Sequence, residues 1–134
     1  SFARIPNLIL PALLGDAPSK LRILTVLSIA YFIGCMFVDP VVVIMILTPI
    51  FRAPIASSGI DNVLVGIIVT LQAAIGSTTP PFGCNIFTAI PVFRQKYWDV
   101  VRDVPPFIFM MIAVSVLIII FPQIALFLRD MAVR

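Results

Sequence analysis

Long apolar runs punctuated by short polar clusters organise this chain. Positions 63–93 carry no charged residue, yet Gly76-Ser77-Thr78-Thr79-Pro80-Pro81-Phe82-Gly83 interrupts the run at its midpoint. Pro80 and Pro81 lack backbone donors and clash with the preceding turn. Gly76 and Gly83 give the chain freedom to turn. The pattern predicts two half-helices, 63–75 and 82–93, around an unwound centre.

Upstream, the uncharged stretches 23–38 and 41–51 meet at Asp39-Pro40, and Pro49, Arg52 and Pro54 close the second. A spanning helix needs about 20 residues, and each stretch alone falls short. The simplest arrangement is a re-entrant helical hairpin over 23–54, with its tip at 34–40. Residues 1–22 read as a helix end and interfacial segment, with a polar loop at 15–22. A second polar loop covers 56–62. Residues 94–103 are the most charged, with Tyr97 and Trp98 as interface anchors. Residues 104–128 are uncharged and long enough to span with some tilt, as a terminal transmembrane helix.

Composition makes lipid the solvent for most of this. The 134 residues are 61% hydrophobic and 11% charged, against about 25% charged in soluble domains. The net charge of +3 is scattered and gives no support to a nucleic-acid role. There is no His, which removes the commonest general base and metal ligand. Cys35 and Cys84 sit in separate apolar segments, as packing residues rather than a disulfide or zinc site. No signal-peptide pattern is visible, and the chain reads as a portion of a longer polypeptide. If the hairpin is re-entrant, both polar loops share one side and the broken helix carries 94–103 to the other. Arg94, Lys96 and Arg102 make that segment a cytoplasmic loop by the positive-inside rule. The hairpin then opens outward and the C-terminus lies outside.

Unwound backbone at membrane depth is tolerated where protein buries it or where it lines a cavity. In transporters such breaks hold the ion or substrate. Thr78 and Thr79 offer hydroxyls, and the prolines free carbonyls upstream. These are oxygen donors, as a hard cation requires. The same residues also fit a plain proline kink whose hydroxyls back-bond the helix. Asp39 is the only ionisable residue well inside an apolar stretch, where a charge costs roughly 3 kcal/mol or more. It fits either a cation ligand or a helix cap beside Pro40. Asn85 and Gln72 are amides in apolar half-helices that fit interhelical hydrogen bonds, and Asn85, just past the break, also fits a substrate contact. Arg52 reads as an interface anchor.

Taken together, Phe2-Ala3-Arg4-Ile5-Pro6, Gly34-Cys35-Met36-Phe37-Val38-Asp39-Pro40, Thr48-Pro49-Ile50, Gly59-Ile60-Asp61 and Gly66 form a pattern. It is strongest at 76–87 and continues to Pro105-Pro106-Phe107. This pattern resembles the C-terminal portion of the large membrane subunit of tripartite ATP-independent periplasmic (TRAP) transporters. Cys84 and Ile86 depart from the more usual Leu, and Arg52 lies where an apolar residue is expected.

The resemblance implies an all-α membrane protein with an elevator-type, ion-transporter-superfamily fold, of which this chain is half of an inverted repeat. It implies a Na⁺-coupled secondary transporter in the bacterial inner membrane, not an enzyme. The expected partners are a small membrane subunit and a periplasmic substrate-binding protein. The expected cargo is a small carboxylate such as sialic acid or a C4-dicarboxylate. Na⁺ is the expected coupling ion, held where the hairpin tip meets the break by Asp39, Gly34, Gly76, Thr78 and Thr79. Asn85, Pro81 and Gly83 are the candidate substrate contacts. A passive channel and a structural membrane subunit are the alternatives.

Overall fold

The computed structural model describes residue 15 and residues 19–132. Most of the segment expected at 1–22 therefore lies outside the described residues. Among the described residues every regular element is an α-helix.

Helix α1, Lys20–Phe37, starts at Ser19, whose hydroxyl accepts from the Arg22 amide at 3.3 Å. Ile23, Leu27, Tyr31 and Cys35 recur every four residues and form a fully buried stripe. Helix α2, Pro40–Ser58, is capped by Asp39, whose Oδ1 accepts from the Val41 amide at 2.9 Å. Pro40 occupies the first turn, where its missing donor costs nothing. Gly59 ends α2 in the left-handed conformation, φ 62°.

The two helices run antiparallel and in contact. Tyr31 and Thr48 share a hydroxyl–hydroxyl bond of 2.9 Å, the Tyr31 and Phe51 rings lie 6.3 Å apart, and Lys20 Nζ donates to the Gly59 carbonyl at 3.4 Å. Both ends of the hairpin therefore lie together. The length argument for re-entrance does not survive. Lys20 and Arg22 join the start of α1, and α2 continues through Pro49 and Pro54, so the helices reach 18 and 19 residues. Each is long and apolar enough to cross a membrane. Proline is tolerated inside membrane helices because neighbouring groups satisfy the freed carbonyls, so Pro49 and Arg52 are poor stop signals here.

Helix α3, Asn62–Thr78, is capped by Asp61, which accepts from the Val63 amide at 2.8 Å. Its buried stripe of Leu64, Ile68, Gln72 and Ile75 belongs to the helix that packs most extensively on α1. The chain is non-helical at 79–83, and helix α4, Cys84–Phe93, follows.

Two expectations change downstream. The segment 94–103 is not simply a loop. Arg94 turns the chain at φ 52°, and helix α5, Tyr97–Asp103, follows with Asp99 in its first turn and Arg102 in its last. Those charges oppose the helix dipole favourably. The single helix expected over 104–128 is divided into α6, Pro105–Ile120, and α7, Pro122–Ala132. Pro122 cannot donate into the preceding turn, and Phe121 leaves helical geometry at φ −118°, ψ 71°. Ala125 and Leu126 of α7 then pack back on the core. Helices α5 and α6 meet at a 43° bend and together form a further candidate span.

Candidate ion and substrate site

The hairpin tip and the helix break lie against each other. Gly76 is buried in the last turns of α3, where an added Cβ would sit 2.7 Å from both the Phe32 carbonyl oxygen and Cys35 Cβ. Its role is thus close approach to α1, not the turning freedom expected of it, since residue 76 is still helical. Gly34 does the same at the tip, where an added Cβ would lie 2.8 Å from Val43 Cγ1 of α2. The Phe37 and Phe82 rings, 5.8 Å apart, complete the contact between tip and break.

Within the break, hydrogen bonding sorts the oxygens. The Gly76 carbonyl accepts from the Thr79 amide at 3.0 Å, and the Thr79 carbonyl from the Gly83 amide at 3.1 Å. The donors that would ordinarily reach the Ser77 carbonyl belong to residues 80 and 81, both prolines without an N–H. An added Cβ at the buried Gly83 would fall 2.6 Å from that same oxygen and 2.8 Å from the Thr79 carbonyl. Glycine is what lets the chain close over these carbonyls.

The hydroxyls back-bond the helix. Thr79 donates to the Ile75 carbonyl at 2.6 Å, Thr78 to Ile75 and Ala74 at 2.9 and 3.0 Å, and Ser77 to Ala74 at 3.0 Å. A hydroxyl that donates its hydrogen keeps both lone pairs. Back-bonding and cation binding are therefore compatible, and the donors remain hard oxygens suited to Na⁺. The carbonyl end of α3 adds the negative pole of its dipole. No cluster of three or more His, Cys, Asp or Glu that could hold a metal occurs among the described residues, and both cysteines are free.

Asp39 stands exposed at the hairpin tip as a helix cap, and its carboxylate makes no hydrogen bond to the break's hydroxyls. Gly34 lies in the same tip, with its carbonyl accepting from the Val38 amide at 2.9 Å. On the far side of the break, Asn85 donates to the Ser77 hydroxyl at 3.1 Å, tying α4 to α3. Gly83 gives α4 no side-chain cap, so the positive end of that short helix faces the break without one. The Pro81 carbonyl accepts from the Tyr97 hydroxyl at 3.1 Å, and the Tyr97 ring rests 6.1 Å from Phe87.

Gln72 lies outside the break and serves as an interhelical strut. Its amide donates to Ser115 of α6 at 2.5 Å, with both residues buried. Ser115 and Tyr97 were not legible as site-supporting residues. Ser115 is a lone polar residue in an apolar run, which was a usable signal. The reach from Tyr97 to Pro81 depends on the turn at Arg94, which has no sequence signature.

The family model described as "Tripartite ATP-independent periplasmic transporter, DctM component" matches residues 1–124. The chain is 60% identical over 132 residues to the ectoine/5-hydroxyectoine TRAP transporter large permease protein UehC of Ruegeria pomeroyi, covering 98% of this chain and 31% of the relative. It is 55% identical over 134 residues to the ectoine TRAP transporter large permease protein TeaC of Halomonas elongata, covering 100% of this chain and 31% of the relative. The isethionate TRAP transporter permease protein DctMQ of Oleidesulfovibrio alaskensis is 35% identical over 127 residues, covering 95% and 20%. The chain thus spans under a third of the length of these relatives. No solved structure matches it. Proteins of this family are membrane transporter components rather than enzymes. The chain belongs to the DctM component family of tripartite ATP-independent periplasmic transporters.

Proposed function

We propose that this chain forms part of the moving transport domain of a Na⁺-coupled, elevator-type secondary transporter in the bacterial inner membrane. A periplasmic binding protein delivers a small organic acid, and a small membrane subunit completes the permease. The observation that carries this reading is the broken helix. It combines a Ser77 carbonyl that no backbone donor of the next turn can reach, hydroxyl oxygens at Thr78 and Thr79 with lone pairs to spare, and a hairpin tip packed against them. Such half-helix ends hold ions and substrates in transporters.

In this mechanism Na⁺ sits at the C-terminal end of α3, on oxygens of the break and of the tip at Gly34 and Asp39. Binding favours the packed arrangement of tip on break. The substrate carboxylate lies toward the N-terminal end of α4, near Pro81, Gly83 and Asn85, where uncapped amides favour an anion. The loaded domain then crosses as a unit. The names of the two relatives above half identity favour ectoine as the cargo over sialic acid or a C4-dicarboxylate.

The test is uptake into vesicles holding the whole permease with its small subunit and binding protein. Labelled ectoine, a C4-dicarboxylate and sialic acid are compared with and without an inward Na⁺ gradient. Ectoine should accumulate above its outside concentration only with the gradient, and Asp39→Asn should need more Na⁺. Equilibration without accumulation, indifferent to Na⁺, would instead establish a passive channel.

A further inference from the structure

The Thr48-Pro49-Ile50 motif lies in α2, away from the helix break, yet α1 ties the two together. The hydroxyl of the buried Tyr31 shares a 2.9 Å hydrogen bond with the Thr48 hydroxyl, and the Tyr31 ring lies 6.3 Å from Phe51. Tyr31 is itself held by its neighbours in α1. The Phe32 carbonyl and Cys35 meet Gly76 of α3 so closely that an added Cβ would sit 2.7 Å from each. The place of α1 against the break is thus fixed, and Tyr31 passes it on to α2.

Pro49 makes this the point at which α2 needs fixing. It has no N–H to bond the Met45 carbonyl, so the helix ladder lacks a rung beside Thr48. Of the buried residues of α2, Phe51 and Ile55 lie beyond Pro49, and Val43, pressed on Gly34, lies on the tip side. Leverage then magnifies any change. Asp39 lies about 13 Å from Thr48 along α2, at 1.5 Å of rise per residue. A bend of about 20° at Pro49, the scale on which internal prolines kink helices, would move the Asp39 end by about 4 Å. A metal ligand tolerates only about 0.2 Å.

We infer that Tyr31 is a positioning residue for the coupling ion: through Thr48 it sets the tilt of the tip end of α2 against the break. This rests on the Na⁺ reading above, in which Gly34 and Asp39 supply oxygens. Losing the bond lowers the fraction of permease whose tip is correctly placed, and apparent ion affinity falls by that fraction.

The test measures ectoine uptake against Na⁺ concentration, in vesicles holding the whole permease with its small subunit and binding protein. Tyr31→Phe keeps the ring and deletes the hydroxyl. It should raise the Na⁺ needed for half-maximal uptake about fivefold, the scale of one hydrogen bond, with uptake at saturating Na⁺ close to wild type. Thr48→Val should do the same, the double variant no more than either, and Thr48→Ser should stay near wild type. If Tyr31→Phe fails to insert, Thr48→Val against Thr48→Ser carries the test. Hydrogen exchange of the permease in Na⁺-free buffer should quicken at the amides of residues 43–47 in both hydroxyl-deleting variants. A lowered melting temperature with wild-type Na⁺ dependence would make the pair merely structural and overturn the inference. So would additive shifts in the double variant, or unaltered exchange at 43–47. Wild-type uptake indifferent to Na⁺ would overturn the Na⁺ reading itself and this inference with it, and the wild type alone shows that.

Discussion

The Asn85 amide on α4 donates to the Ser77 hydroxyl on α3 at 3.1 Å, joining the two halves of the broken helix across the gap that the prolines create. Ser77 in turn donates to the Ala74 carbonyl at 3.0 Å, so the clasp is anchored in the last full turn of α3. Without it α4 would be held to the break by the backbone between residues 79 and 83 and by the contact of Phe87 with Tyr97, which bonds the Pro81 carbonyl. Asn85→Ala and Ser77→Ala should each destabilise the permease by about 1 kcal/mol, with a similar coupling energy in a double-mutant cycle. Both should also reduce apparent substrate affinity. Additive thermal shifts in the double variant would show that the two side chains do not act as a pair.

Two glycines on one helix should respond in opposite directions. At Gly76 an added methyl meets the Phe32 carbonyl oxygen and Cys35 Cβ at 2.7 Å, whereas at Gly66 it meets nothing within 4 Å. Gly76→Ala should destabilise by about 1–3 kcal/mol through overpacking against backbone that cannot retreat. Gly66→Ala should be neutral, or stabilise by about 0.5–1 kcal/mol from helix propensity alone. Thermal melting of the purified permease reads both. Equal shifts would mean that α1 and α3 do not pack as closely as described.

The sequence revealed the break because proline chemistry is local. Pro80 and Pro81 fix the end of α3 whatever surrounds them. It revealed the hairpin turn for a similar reason, since Asp39-Pro40 is both a cap and a helix start. It misplaced helix ends wherever a residue usually read as a stop was overridden by packing. Pro49, Arg52 and Pro54 lie inside α2, and Lys20 and Arg22 inside α1. It also assigned turning freedom to Gly76, because spacing alone does not show that Cys35 and Phe32 of another helix press on that position. Contacts made by distant residues, such as Tyr97 with Pro81, left no local trace.

Gln72 and Ser115 form a buried polar pair between α3 and α6. Gln72→Leu should destabilise by about 1–3 kcal/mol, because it strands a hydroxyl in an apolar interface. Adding Ser115→Ala removes the stranded group and should recover part of that loss. A double variant no more stable than Gln72→Leu would show that Ser115 finds another partner, such as a carbonyl of its own helix.

Tyr97 links the segment after α4 to the break through the Pro81 carbonyl, with its ring between Phe87 and Trp98. Tyr97→Phe keeps the ring packing and deletes only the donor. Hydrogen exchange at the amides of residues 82–86 should quicken, consistent with about 1 kcal/mol of lost local protection. The melting temperature should scarcely move. Unaltered exchange in that segment would reduce Tyr97 to a packing residue. This readout needs no ion, so it stands whether or not the Na⁺ reading does.

Thr79 is where ion binding and simple kinking make different predictions. Its hydroxyl donates to the Ile75 carbonyl at 2.6 Å, which turns the oxygen lone pairs away from that carbonyl. Thr79→Val removes both the back-bond and the oxygen at nearly constant volume, whereas Thr79→Ser retains both. If the oxygen is a Na⁺ ligand, Thr79→Val should raise the Na⁺ needed for half-maximal uptake by about tenfold, equivalent to roughly 1.4 kcal/mol of lost ligation. Thr79→Ser should shift it far less. If the hydroxyl only ties off a helix end, Thr79→Val should lower thermal stability by about 1 kcal/mol and leave the Na⁺ dependence of uptake as in wild type. The two measurements separate the cases because a cation contributes to the first and not to melting in Na⁺-free buffer. A Thr79→Val permease with wild-type Na⁺ dependence would move the ion away from this hydroxyl, toward the Ser77 carbonyl and the Thr78 hydroxyl.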